Sequence, residues 1–161
     1  MWDKKKFLFE TLVTPIILYG CEVWGCSISR ESWRKIEQIQ KRFIAYNLKI
    51  KSKTPYPILL IESGISPIES LAMIRFLLYK HKLNNIDEHR LPNLALNSSQ
   101  NRLRLKRGWY KNTRAWLNHW QINENVSLQN INNIRNIVTS KFKEKNFVWE
   151  RFSSQKKIKI L

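Results

Sequence analysis

The chain has 161 residues, enough for one domain with a substantial core, and its 43% hydrophobic content excludes wholesale disorder. No uninterrupted apolar run approaches the roughly 20 residues of a membrane span. Twenty-nine Lys and Arg against twelve Asp and Glu leave a formal charge of +17, which points to a polyanionic partner.

The basic surplus is uneven, for residues 101–161 hold fourteen Lys and Arg against three acids. Asn, Ile and Lys make up 52 of the residues. All three have A/T-rich codons, so the same surplus is also what an A/T-rich coding sequence would give. The N-terminus is basic, but Glu10, Pro15 and Glu22 interrupt the apolar part beyond it. No secretory signal is therefore expected, and the expected location is intracellular, nuclear or cytoplasmic.

Lys4, Lys5 and Lys6 lead into the most apolar stretch, residues 7–25, which holds two of the four glycines. Phe7, Leu8, Leu12 and Val13 recur at helical spacing. Pro15 behind Thr14 predicts either a kink or the meeting of two helices. Proline lacks an amide hydrogen, yet suits a first helical position behind a capping threonine. Ile16, Ile17, Leu18, Tyr19, Val23 and Trp24 place apolar groups on more than one face, the pattern of a helix buried on several sides. Gly20 would cost a helix interior about 1 kcal/mol relative to alanine, which predicts close approach of another backbone there. Glu22 reads as a partly buried carboxylate paired with an arginine or a backbone amide, with no second acid beside it for catalysis. Cys21 and Cys26 fit two reduced, buried thiols, since two cysteines alone make neither a disulfide framework nor a zinc site.

Ser29 caps a predicted helix that runs to about Ile50. Its apolar side carries Trp33, Ile36, Phe43, Ile44 and Asn47, and its other side Arg34, Gln38, Lys41, Arg42 and Lys49. That basic stripe reads either as a phosphate-binding face or as the ordinary charged face of an exposed helix. Thr54 and Pro55 start a short helix over 55–62 that Gly64 ends. Ser66, Pro67 and Glu69 form a capping box ahead of a helix from Pro67 to about Leu83, apolar nearly all round through Leu71, Met73, Ile74, Phe76, Leu77 and Leu78.

Next come a polar turn over 84–89 and a short helix over 91–96. Residues 97–101 read as an exposed loop and a domain boundary. Beyond it, Arg102, Arg104, Lys106 and Arg107 are the best candidates for a phosphate contact. They precede a helix over 109–121, on which Trp109, Trp116 and Trp120 share one face and Lys111, Arg114 and Asn118 the other. Aromatics among bases invite base stacking, although aromatics aligned on one helical face are more often core. A last helix over 130–152 carries Ile131, Ile134, Val138, Phe142, Trp149 and Phe152 near one side. The frayed tail holds Lys156, Lys157 and Lys159. With no strand pattern of useful length, no repeat and no glycine-rich phosphate loop, the expected fold is all-α. It would be a helical bundle of about six or seven helices, divided into residues 1–96 and a basic helical C-terminal extension over 97–161.

Leu8-Phe9, Leu12-Val13, Pro15, Leu18-Tyr19-Gly20 and Glu22-Val23-Trp24-Gly25, in this order, carry a resemblance. The stretch resembles the region just after the polymerase palm in non-LTR (LINE-type) retrotransposon reverse transcriptases, which leads into the thumb. Ile36-Glu37, Phe43, Thr54-Pro55, Glu62, Gly64, Pro67 and the run from Arg75 to Lys82 look similar in the same order. The likeness covers roughly residues 4–96 and fades afterwards. It implies a thumb that holds the backbone of a template–primer of RNA and DNA without base specificity. Arg34, Lys41, Arg42 and Lys49 would contribute to that binding. It also implies that Leu12, Pro15, Tyr19, Gly20 and Trp24 pack against a palm and fingers domain that this chain lacks, leaving an apolar patch.

Chemistry is the part the sequence argues against. Two-metal phosphoryl transfer needs clustered carboxylates, and the chain holds only two aspartates, Asp3 and Asp87. By the resemblance, the metal-binding aspartates of the parent RNA-directed DNA polymerase would lie upstream of Met1. His81, His89 and His119 show no triad-like spacing, and no zinc-knuckle pattern is present. The expectation is a polymerase fragment that is no enzyme on its own, takes no cofactor or metal, and has no membrane partner. Two alternatives stand beside it: a helical protein-interaction remnant, and a decayed mobile-element reading frame with no selected function.

Overall fold

The computed structural model describes residues 1–51, 53–101, 108–123 and 133–144. Every regular element among them is helical, as expected. In chain order they are α1 (Trp2–Leu8), a π-helical turn (Phe9–Val13), α2 (Thr14–Ile17), α3 (Cys21–Trp24), α4 (Arg30–Asn47), α5 (Tyr56–Ser63), α6 (Ile68–Asn84), α7 (Leu91–Asn101) and α8 (Trp109–His119). Residues 133–144 form a further helix, α9. No single helix among the described residues is long and apolar enough to cross a membrane.

Two units divide the chain. The first comprises Met1–Tyr19, Arg30–Leu71 and residues from Thr139 onward, and the second Gly20–Ser29 with Ala72–Val138. The first turn of α6 thus belongs to one unit and the rest of that helix to the other.

The first unit is built around α4. Its apolar stripe buries Trp33, Ile44 and Ala45, and Leu59, Leu60 and Ile65 of α5 and the segment after it pack with Ile44 and Ala45 in one core. Pro55 at the N-cap and Gly64 at a left-handed C-cap position set the ends of α5. The helix that opens the chain is fastened at three points. Trp2 donates its indole N–H to the Ser63 carbonyl (3.2 Å), Lys6 donates to the Gly64 carbonyl (2.6 Å), and Phe9 stacks on Phe43 at 4.2 Å. Lys6 therefore meets the carbonyl end of α5, where a cation is favoured by the helix dipole.

Around Pro15 the chain does not break into two separate helices, for α1, the π-helical turn and α2 follow one another without a gap. The regular ladder opens by one residue ahead of the proline, so the Thr14 amide reaches back five residues to the Phe9 carbonyl, which the Thr14 hydroxyl also meets at 3.2 Å. The wider turn takes up the crowding a proline ring imposes on the carbonyl four residues before it. Helix α2 ends at Ile17 with Leu18 as its C-cap, and Gly20 takes a left-handed conformation (φ 65°). The glycine is required by that turn and not by close approach of a backbone, since the atoms nearest a Cβ there belong to the Trp24 side chain at 3.8 Å.

The second unit packs the segment from Gly20 to Ser29 on α8. Trp109 donates its indole N–H to the Val23 carbonyl (3.0 Å), and the Thr113 hydroxyl lies 3.7 Å from the Cys26 sulfur. Close approach falls at Gly25, where a Cβ would stand 3.1 Å from the Trp116 ring and 2.5 Å from the Cys21 carbonyl. Trp116 and Trp120 are buried, and Phe76 of α6 lies against both Trp109 (5.9 Å) and Trp116 (5.4 Å). The tryptophan face is therefore core at Trp116 and Trp120, and half-buried at Trp109. Helix α7 continues through residues 97–101, where the sequence suggests a loop. Asn93 and Asn97 bond to one another one turn apart at 2.9 Å, and such i,i+4 pairing offsets their weak helix propensity.

Candidate nucleic-acid interface

The solvent side of α4 is the strongest candidate surface. Arg34, Gln38 and Arg42 are exposed on it and Lys41 is half-buried at its margin. Lys49 is exposed too, but it lies past the end of the helix at φ 54°, not on the stripe that was expected to reach Ile50. The first turn of the helix is electrically quiet. Glu31 bridges to Lys35 at 3.2 Å with both side chains in solvent, and Arg30 is held by Glu69 through contacts of 2.7 and 2.8 Å. The cations accumulate toward the other end. From Gln38 to Ile61 the chain has five Lys and Arg and no acid. Lys49, Lys51 and Lys53, all exposed, lie beyond the helix C-terminus. A helix C-terminus carries about half a negative charge, so three lysines there exceed what the dipole needs.

Gln40 decides which way this face points. It is fully buried on the apolar side of α4. Its amide N–H donates to the Ser66 carbonyl (2.9 Å), while its oxygen accepts from the Ile68 amide (3.2 Å) and from the Tyr56 hydroxyl. The start of α6 is thus capped from α4. Glu69, expected to close a capping box, takes Arg30 on both oxygens. Glu37 sits half-buried nearby. Burial, and then the Glu69 charge, push its carboxyl above the ordinary range, with Arg30 and Arg34 pulling the other way. Burial likewise raises the Tyr56 hydroxyl, which therefore stays a donor.

Of the other expected contacts, Lys111 and Arg114 are exposed on α8, in the second unit. Arg102, Arg104, Lys106 and Arg107 lie outside the described residues, as do Ile131, Trp149, Phe152 and the lysines of the tail. Of the residues read as a helix buried on several sides, Leu18 is buried, Ile17 and Trp24 are half-buried, and Ile16, Tyr19 and Val23 are exposed. Phe7, Leu8, Leu12 and Val13 are exposed in the first unit, with Ile16 at 77% and Tyr19 at 84%. Pro15 is half-buried. Gly20 and Trp24 belong to the second unit, where Trp24 is half-buried.

Tyr46 and Gln40 are the residues that sequence reasoning misses. Tyr46 is 84% exposed in the last turn of α4 and Ile39 is exposed two turns before it. A glutamine one turn past Ile36 and one turn before Ile44, on the apolar stripe, is the available signal for Gln40.

Cys21 and Cys26 are buried free thiols, and burial, with Glu22 adding to it, pushes the Cys21 thiol up to about 11. No group of three or more His, Cys, Asp or Glu that could hold a metal occurs among the described residues. A polar cleft of 670 Å³ is lined by residues of the turn after α6 and of α7, and its Asp87 carboxylate accepts the His89 amide (3.0 Å). In comparisons with known proteins, no family model, no curated protein and no solved structure matches this chain.

Proposed function

We propose that the chain is a helical, nucleic-acid-binding part of a LINE-type reverse transcriptase, its thumb and the region beyond the thumb, working without chemistry of its own. The observation that carries the reading is the acid-free cationic end of α4, with half-buried Lys41 and exposed Arg42 on the helix and Lys49 beyond it; exposed Arg34 stands earlier on the same helix, within reach of the Glu37 charge. The sequence resemblance over residues 4–96 supports it. In this role the cations meet phosphates of a template–primer and release counterions, so binding tracks the backbone and not the sequence. The apolar face from Phe7 to Tyr19 would then be covered by the palm of the parent polymerase.

The test is a salt titration of binding to an RNA–DNA hybrid. Affinity should fall with a log–log slope of about −0.9 per phosphate neutralised. The triple reversal Arg34→Glu, Lys41→Glu and Arg42→Glu should flatten that slope by about two to three. Binding that ignores salt, or survives the reversals, would remove α4 from the interface. A second reading has its own observation, the exposure of Leu8, Leu12, Ile16 and Tyr19. It is a protein-interaction module whose binding is salt-insensitive and lost on Leu12→Asp.

A further inference from the structure

Cations alone do not account for the composition of the α4 face. Lys35, Ile39, Arg42 and Tyr46 succeed one another at steps of four, three and four residues, the spacing of a single row on a helix. Lys35 is neutralised by Glu31, and the rest of the row is exposed. Its free end therefore alternates an aliphatic group, a guanidinium and an aromatic ring, with Lys49 three residues further on. No acid stands between Gln38 and Ile61 to repel a phosphate. A duplex hides the faces of its bases, so a backbone-only contact leaves Tyr46 nothing to cover it. Unpaired bases present those faces, and every base can stack on an aromatic ring.

We propose that this row binds single-stranded nucleic acid, Tyr46 stacking on an unpaired base while Arg42 and Lys49 hold the phosphates beside it. The proposal rests on the basic-face reading above and narrows its substrate to a segment with unpaired nucleotides, such as the strand beyond a duplex end. Charge complementarity and exposed aromatic surface meet on the same two turns of one helix, whereas of the other candidates for stacking Trp116 and Trp120 are buried and half-buried Trp109 is engaged by Phe76 and the Val23 carbonyl.

Binding of the full chain would be measured to a labelled single strand, to a duplex of the same length, and to an abasic strand that keeps the phosphates. RNA and DNA strands run in parallel separate the two sources of this chemistry. Tyr46→Ala should weaken single-strand binding by at least about fivefold with an unchanged salt slope, and Tyr46→Trp should restore it. Duplex and abasic binding should hardly move. Equal loss on all three ligands, or no loss on the single strand, overturns the stacking role. If the wild-type chain binds none of the strands, the basic-face reading falls with it. If wild type binds and the charge reversals abolish binding while Tyr46→Ala does nothing, only the stacking proposal is refuted.

Discussion

Gln40→Ala tests whether one buried amide holds the basic helix in place. The substitution removes the acceptor shared by the Ile68 amide and the Tyr56 hydroxyl, and with it the donor to the Ser66 carbonyl. A buried polar group without a partner costs about 1–3 kcal/mol. Ser66 is exposed, so water can replace the amide at its carbonyl, while the buried amide of Ile68 keeps only the Tyr56 hydroxyl oxygen beside it. The lost shared acceptor and a small cavity amount to about 2–4 kcal/mol. That is a large share of the roughly 5–15 kcal/mol by which domains are usually stable. Urea unfolding monitored by far-ultraviolet circular dichroism would read it as a midpoint lowered by about 1–2 M, for an m-value near 2 kcal/mol/M. Tyr56→Phe removes one donor and leaves the Gln40–Ile68 bond intact, so its loss should be only about 1 kcal/mol. A Gln40→Ala loss below about 1 kcal/mol, or equal losses for the two variants, would refute the role of Gln40 as the shared anchor.

Glu37 gives a pH test whose sign is set by its environment. A carboxyl raised in the folded state favours the protonated form, so its contribution is full at low pH and is lost as the pH rises through the raised value. Glu37→Gln should therefore gain stability on wild type between acid and neutral pH, and parallel stability–pH curves for the two proteins would contradict this. The buried thiols give a third check. With Cys21 pushed up to about 11, a thiol reagent at pH 8 should label the native chain slowly and the urea-unfolded chain at once. Fast native labelling of Cys21 would show that the second unit opens readily.

Much of the fold is legible in the sequence because punctuation and periodicity agree. Pro55, Gly64 and Pro67 bracket α5 and open α6, and the apolar stripe of α4 is the one the structure buries. Where sequence and structure part, the reasons are identifiable. Residues 7–19 are apolar enough to suggest burial, but burial depends on a partner surface, and only Phe9, Thr14 and Leu18 find one within the first unit. A left-handed glycine and a closely packed glycine look alike in a sequence, so Gly20 and Gly25 exchange roles. Gln40 reads as a polar residue on an apolar stripe until the carbonyl and amide it joins, 26 and 28 residues away, are in place. The candidate face itself is half visible. Arg34, Lys41 and Arg42 come from the helical period, whereas the exposure of Tyr46 depends on which neighbours α4 has.

The wide turn before Pro15 acts as a phase shifter. Trp2, Lys6 and Phe9 step inward by four and three residues, and the next inward group is Thr14, five residues on. An uninterrupted α-helix would have brought Val13 to that position, about 100° of azimuth earlier per residue. The extra residue thus decouples the two ends of one rod, so that the first two turns can be clamped to α5 while the aliphatic groups beyond are aimed independently. Removing a single residue from the Phe9–Val13 turn would re-index everything downstream of it, and the greasy side of the rod would be traded for another without any change in its composition.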